Sequence, residues 1–312
     1  MPPLPPPATP ERLRDDLSRG SWLSVTHPVT FWGTRGSIPT PGPDTARYGG
    51  NTACISIGGR DGRLVILDAG SGLRPLGHEL MKERSGVLTA DILLSHTHWD
   101  HIQGLPFFKP LSSRNTSVNI YGAAQEGVPL KDILGRQMDP MVFPVPLNAL
   151  AASLAVIEIT EGEFEIDDFR VCTFRLRHPG TTLGYRLAPS SRGRDVAYLT
   201  DNELGPGGSY EVPPDWRERL VQFVEGADTL IHDAMYLDQI IQARAGWGHS
   251  TPRQAVDLAA EGRCARLVLF HHEPEHDDEA MDRLLADTRK YATQVAPGLV
   301  VEAAAEGMQF SL

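Results

Sequence analysis

The chain has 312 residues, 41% hydrophobic and 22% charged, with a formal net charge of −11. That length supports one large globular domain or two small ones, and no apolar run approaches the roughly 20 residues needed to cross a bilayer. The acidity argues against long polyanions such as tRNA, which draw affinity from a basic surface; a small anionic substrate needs none.

Residues 1–27 open Met1-Pro2-Pro3-Leu4-Pro5-Pro6-Pro7 and read as a Pro-rich tail and linker, partly disordered, with 11–19 as a short helix. The tail has no basic start or apolar signal core, and the odd cysteine set Cys54, Cys172 and Cys264 suits free thiols. A cytoplasmic location is therefore expected. From residue 28 to 312 a single domain is expected. Apolar runs at 29–33, 53–58 and 64–67 predict a strand meander, and the segment from Asp68 to Gly72 opens a helix to about residue 83. Strands follow at 91–95 and 118–121. Residues 122–150, rich in proline with a short helix at 131–137, read as an inserted lobe or lid. Beyond it, strands are predicted at 154–159, 170–177, 183–187, 196–200, 230–232, 267–270 and 299–302, and helices at 215–225, 235–243, 252–261 and 278–291. The pattern suggests two packed sheets with helices outside, an α/β protein.

The densest chemistry is Ser95-His96-Thr97-His98-Trp99-Asp100-His101. On an extended chain leaving a buried strand, alternate side chains share a face, so His96 and His98 converge on one ion. Asp100 and His101, past the bend, suit a second ion beside it. Imidazole with carboxylate favours zinc, with manganese or iron as alternatives. Two metals need further ligands, and three more strand ends offer them: His178, Asp201, and one of the adjacent pair His271 and His272, with His271 favoured because it directly continues its strand.

These residues, in this order, resemble the metallo-β-lactamase superfamily. The resemblance implies a four-layer αββα sandwich with a dinuclear centre at one edge of the sheets. It assigns His96, His98 and His178 to one metal, Asp100, His101 and His271 to the other, and Asp201 to both. A closer resemblance, to the phosphodiesterase branch that includes tRNase Z and cyclic-nucleotide phosphodiesterases, rests on Phe31-Trp32-Gly33-Thr34-Arg35-Gly36-Ser37, on His178 with Gly184-Tyr185-Arg186, on Ile231-His232-Asp233-Ala234, and on Gly248-His249-Ser250-Thr251. Asp233 stands where tRNase Z has Glu, and Arg35 interrupts the glycine loop.

The expected activity is hydrolysis of a small phosphodiester, a cyclic nucleotide foremost, by a hydroxide activated between two metals. RNA 3′-end cleavage and non-catalytic metal sensing are the alternatives. Asp100 is the candidate to orient the water, His249 the general acid and Asp233 its anchor. Arg35, Asn51 and Thr52, in glycine-rich turns, are candidate phosphate contacts. The bland reading of His249 is a neighbour of the helix start at Pro252, where Ser250 or Thr251 caps. His27, His78, His232 and His276 read as structural or solvent-facing. Homodimers are frequent in the resembling branch; no membrane partner is expected.

Overall fold

The computed structural model describes residues 26–83, 86–190, 193–205 and 208–312. The tail and its expected helix at 11–19 lie outside them. Fourteen strands form two seven-stranded sheets. The first has the order β14 (Gln309–Ser311), β1 (Pro28–Gly33), β2 (Cys54–Gly58), β3 (Leu64–Leu67), β4 (Leu88–Leu93), β5 (Thr116–Gly122), β6 (Ser153–Glu158). The second has the order β13 (Val300–Ala303), β12 (Arg266–Phe270), β11 (Thr229–Asp233), β10 (Val196–Leu199), β9 (Leu183–Pro189), β8 (Phe169–Arg175), β7 (Gly162–Ile166). In each sheet antiparallel pairing gives way to parallel pairing, at β3–β4 in one and β10–β11 in the other.

Alternation along the strands builds the layers. In β3, Val65 and Leu67 face the partner sheet while Leu64 and Ile66 face outward; in β12, Val268 and Phe270 face inward and Leu267 and Leu269 outward. Strands apolar on both faces must be covered twice. Helix α1 (Leu73–Glu83) therefore covers the first sheet, followed in chain order by α2 (Trp99–Ile102), a single turn, and α3 (Leu130–Gln137). On the second sheet lie α4 (Trp216–Val224), α5 (Pro252–Glu261) and α6 (Asp278–Val295). The expected four-layer αββα sandwich is the observed one.

Several local expectations fail, each for a packing reason. The lobe at 122–150 is built into the outer layer: Leu130, Leu134, Met138 and Leu147 close the apolar cluster over β4 to β6. No helix forms at 235–243 beyond a 3₁₀ turn at Ile241–Arg244; the chain is instead tied back at its start, where the amides of Ala234, Met235 and Tyr236 donate to Phe270, Asp233 and Ser250. Strands β7 and β14 were not predicted; both are short, edge-positioned and largely exposed.

The glycine loop after β1 is scaffold. Arg35 is fully buried, and its guanidinium donates to the carbonyls of Gly49, Glu273 and His276 at 2.8, 3.1 and 2.6 Å. Asn51 is held by Glu306, through its amide at 2.6 Å and its side chain at 3.1 Å. The Thr52 hydroxyl accepts from the Ser71 amide and from Gln103. All three residues expected at the substrate are thus committed to the protein, where they weld β1, β2 and the exit of β12 together. Replacing Arg35 by Met keeps its bulk but removes the donors of three carbonyls, one buried and two half-buried, and should lower unfolding free energy by on the order of 3 kcal/mol in urea. An unchanged midpoint would deny Arg35 this structural role.

Candidate metal centre

Strand β4 continues through Leu94 and Ser95 into the metal loop. His98 sits just before α2, whose single turn presents Asp100 and His101. The other ligand candidates arrive from the second sheet. Asp201 leaves β10, Asp233 ends β11 and His271 follows β12; these three strands run parallel side by side, so their carboxyl ends share one edge. His178 reaches the same place after β8. Asp201 and His271 have φ of 54° and 59°, a left-handed backbone that Asp and His adopt more readily than most residues.

Two donor sets result. His96, His98, His178 and Asp201 each place a ligand atom within 4.8 Å of the others, and so do Asp100, His101 and His271. Asp201 joins them: one oxygen lies 3.7 and 3.6 Å from the Nε2 atoms of His96 and His178, and the other 3.2 Å from those of His101 and His271. His272 turns away, with its ring on the Ala304 carbonyl at 2.8 Å.

The side chains fit divalent cations. His98 Nδ1 and His178 Nε2 stand 2.9 Å apart, His101 Nε2 and His271 Nε2 stand 3.3 Å apart, and buried His96 Nε2 has no hydrogen-bond partner. Lone pairs facing one another at such distances call for a shared cation. The opposite ring nitrogens are occupied: His96 Nδ1 by Ser95, His101 Nδ1 by Asp68 at 2.8 Å, His178 Nδ1 by the Gly248 carbonyl at 3.1 Å. These outer contacts orient each ring toward the centre. Burial holds His96 and His98 below the usual imidazole range and His178 at about 4, so all three are neutral donors. Burial opposes the charge on Asp100 and Asp201, but the surrounding imidazoles override it and keep both well below the usual carboxylate range. Nitrogen and carboxylate oxygen, without sulfur, suit zinc, manganese or iron.

Beside the two sets lies a hydrogen-bonded dyad. His249 Nδ1 is 2.5 Å from Asp233 Oδ2, and the His249 ring stacks on His271 at 5.1 Å. Burial disfavours the imidazolium, but the Asp233 charge and hydrogen bond outweigh it and lift His249 to about 9. Thr251 does cap α5, in a capping box with Gln254. The cap and the dyad are adjacent features of one turn.

Two contributors were not anticipated. Asp68, with φ of 59° at the end of β3, accepts from the Ser95 amide and hydroxyl, from Tyr198 and from His101. The signal was present, an aspartate ending an apolar run as Asp201 does, but its segment read as the opening of the next helix. Glu203 is almost fully buried and accepts from the amides of Gly208, Gly246 and Gly248 and from the Tyr210 hydroxyl. Its role depends on backbone folding that no spacing announces. The glycine loop serves the centre by leaving room: a Cβ on Gly36 would collide with the His271 ring.

Comparison with known proteins agrees with this architecture. Residues 63–272 match the family described as beta-lactamase superfamily domain. A ribonuclease Z of Natronomonas pharaonis is 26% identical over 282 residues, covering 78% of this chain and 86% of that protein. Human tRNase Z, short form, superposes with a TM-score of 0.60 at 24% identity, covering 91% of this chain and 98% of that one. A diphosphatase from the PhnP family gives 0.61 at 20% identity, covering 92% and 98%. This chain belongs to the beta-lactamase superfamily and is a metallo-hydrolase.

Proposed function

We propose that the chain is a metal-dependent phosphodiesterase acting on a small phosphodiester, with a cyclic nucleotide as the foremost substrate. The observation that carries this reading is the His249–Asp233 dyad set against the two donor sets. Expulsion of an alkoxide needs a proton, and the dyad is a buried acid positioned to give it. Names of the relatives, ribonuclease Z, tRNase Z and a diphosphatase, support cleavage at phosphorus.

Two divalent cations in these sets, zinc foremost, would supply Lewis acidity toward phosphoryl oxygens and lower the pKa of a water. The chain does the rest. Asp100, fixed by the Ser37 amide at 2.7 Å, orients the attacking water. Asp201 spans both sets and fixes their separation. His249 holds a proton for the leaving oxygen, and Asp233, whose other oxygen accepts from the Met235 and Ser250 amides, keeps the ring aimed. RNA 3′-end cleavage is the second reading, favoured by the ribonuclease Z relatives; the net charge of −11 weighs against it.

Chelation should abolish hydrolysis of bis-p-nitrophenyl phosphate, with recovery on addition of about two equivalents of zinc or manganese. Asp201→Ala should bind less metal by elemental analysis; a purified chain that takes up none would remove the basis of the reading.

Replacing His249 by Ala should lower turnover by about 10²- to 10⁴-fold while metal content stays near wild type. Loss of metal in parallel would instead make His249 a ligand, as its proximity to Asp201 and His271 also permits. The imidazolium is the active form, so activity falls as pH rises past its pKa. That limb should lie at or below about 9, because nearby cations oppose the charge, and it should be missing from the His249→Ala pH profile. Turnover of cyclic mononucleotides or dinucleotides, with precursor tRNA left intact, is the expected outcome of a substrate panel; the reverse would establish the nuclease.

A further inference from the structure

The wall beside His249 carries side chains that neither metal binding nor proton transfer uses. Trp247 is 54% exposed, although it lies two residues from a buried histidine. An exposed tryptophan on a free loop would be unremarkable, but this one is held firmly. The amides on either side of it, from Gly246 and Gly248, donate to the same oxygen of buried Glu203 at 2.9 and 3.0 Å. Both glycines have positive φ, 86° and 85°, and a Cβ on Gly248 would collide with His178. The indole is therefore mounted on backbone that also orients a metal ligand, since the Gly248 carbonyl faces His178 Nδ1.

Arg244 completes the surface. Its guanidinium carbon lies 4.3 Å from the Trp247 ring centre and 5.8 Å from that of Tyr236. Tyr236 in turn meets the His249 ring edge-on at 5.4 Å. Nearby Arg253 pairs with Asp238, whereas among the described residues Arg244 has no ion pair. An indole on anchored backbone and a guanidinium lying over its ring thus make a cationic aromatic stack, joined through one buried tyrosine to the proton donor. Nucleobases stack on such surfaces whatever their sequence identity, through both the aromatic face and the arginine plane. The surface stands on the His249 side, where the leaving oxygen is protonated, linked to that ring through Tyr236.

We infer that Trp247 and Arg244 form a subsite for the nucleobase of the substrate, on the leaving-group side of the metal centre. This rests on the phosphodiesterase reading for its orientation, and it narrows the substrate class to nucleotides. Titration calorimetry of the zinc-loaded full chain with adenosine 5′-phosphate and with ribose 5-phosphate tests it without catalysis. Wild type should bind the nucleotide roughly tenfold more tightly than the sugar phosphate. Trp247→Ala and Arg244→Ala should each reduce that preference to within about twofold, while Trp247→Phe retains most of it and ribose 5-phosphate affinity stays constant. Equal affinities in wild type, a preference that survives both alanine variants, or parallel loss of both ligands would overturn the inference. A nucleotide preference in protein that fails to hydrolyse bis-p-nitrophenyl phosphate would refute the phosphodiesterase reading and leave the subsite standing.

Discussion

Four aspartates, Asp68, Asp100, Asp201 and Asp233, are buried at one edge of the two sheets, none more than 6% exposed. Carboxylates do not gather in a protein interior unless positive charge is gathered with them. Here the compensating groups differ by position. Asp233 has the His249 proton, and Asp68 has two hydroxyls, an amide and the His101 ring. Asp100 and Asp201 face the Nε2 atoms of His101 and His271, and Asp201 also faces that of His96, which has no hydrogen-bond partner. A cation among them satisfies carboxylate and imidazole at once, so the fold and the candidate metal centre are parts of one electrostatic solution.

That solution governs backbone geometry. Asp68, Asp201 and His271 all take the left-handed conformation where a strand gives out. Each would be locally costly in isolation, and each is held by a neighbouring strand or by the ligand set. The strain falls at the carboxyl ends of strands because a regular ladder below fixes the strand while the last residue remains free to turn inward. Parallel pairing in both sheets puts these ends side by side. The glycine-rich turn after β1 belongs to the same arrangement: it brings Gly36 against His271 and the Ser37 amide to Asp100.

The sequence announced whatever was local or periodic. The donor-rich loop was legible because His96, His98, Asp100 and His101 sit within six residues, and its convergence with Asp201 and His271 because each of these follows an apolar run. Two packed sheets with helices outside followed from strand meanders with helices between them, and the family resemblance implied the αββα order. Arg35, Asn51 and Thr52 were misplaced because a cation and amides in glycine-rich turns look alike whether they face a phosphate or a carbonyl. Glu273 and His276, which bind Arg35, and Glu306, which binds Asn51, lie more than 200 residues away from them.

The segment between Asp233 and Thr251 shows why an irregular stretch resisted prediction. Its composition suits a helix over 235–243, and a helix would satisfy its own amides. The observed chain returns His249 to the donor sets, where its ring stacks on that of His271. The backbone turns instead, and its buried amides must then find acceptors elsewhere. Asp233 takes those of Met235 and Ser250, Ser250 that of Tyr236, and Glu203 those of Gly246 and Gly248. Two buried carboxylates thus hold this irregular backbone. One of them also binds the His249 imidazole, so the satisfaction of the irregular backbone and the placement of that ring are met by the same side chain.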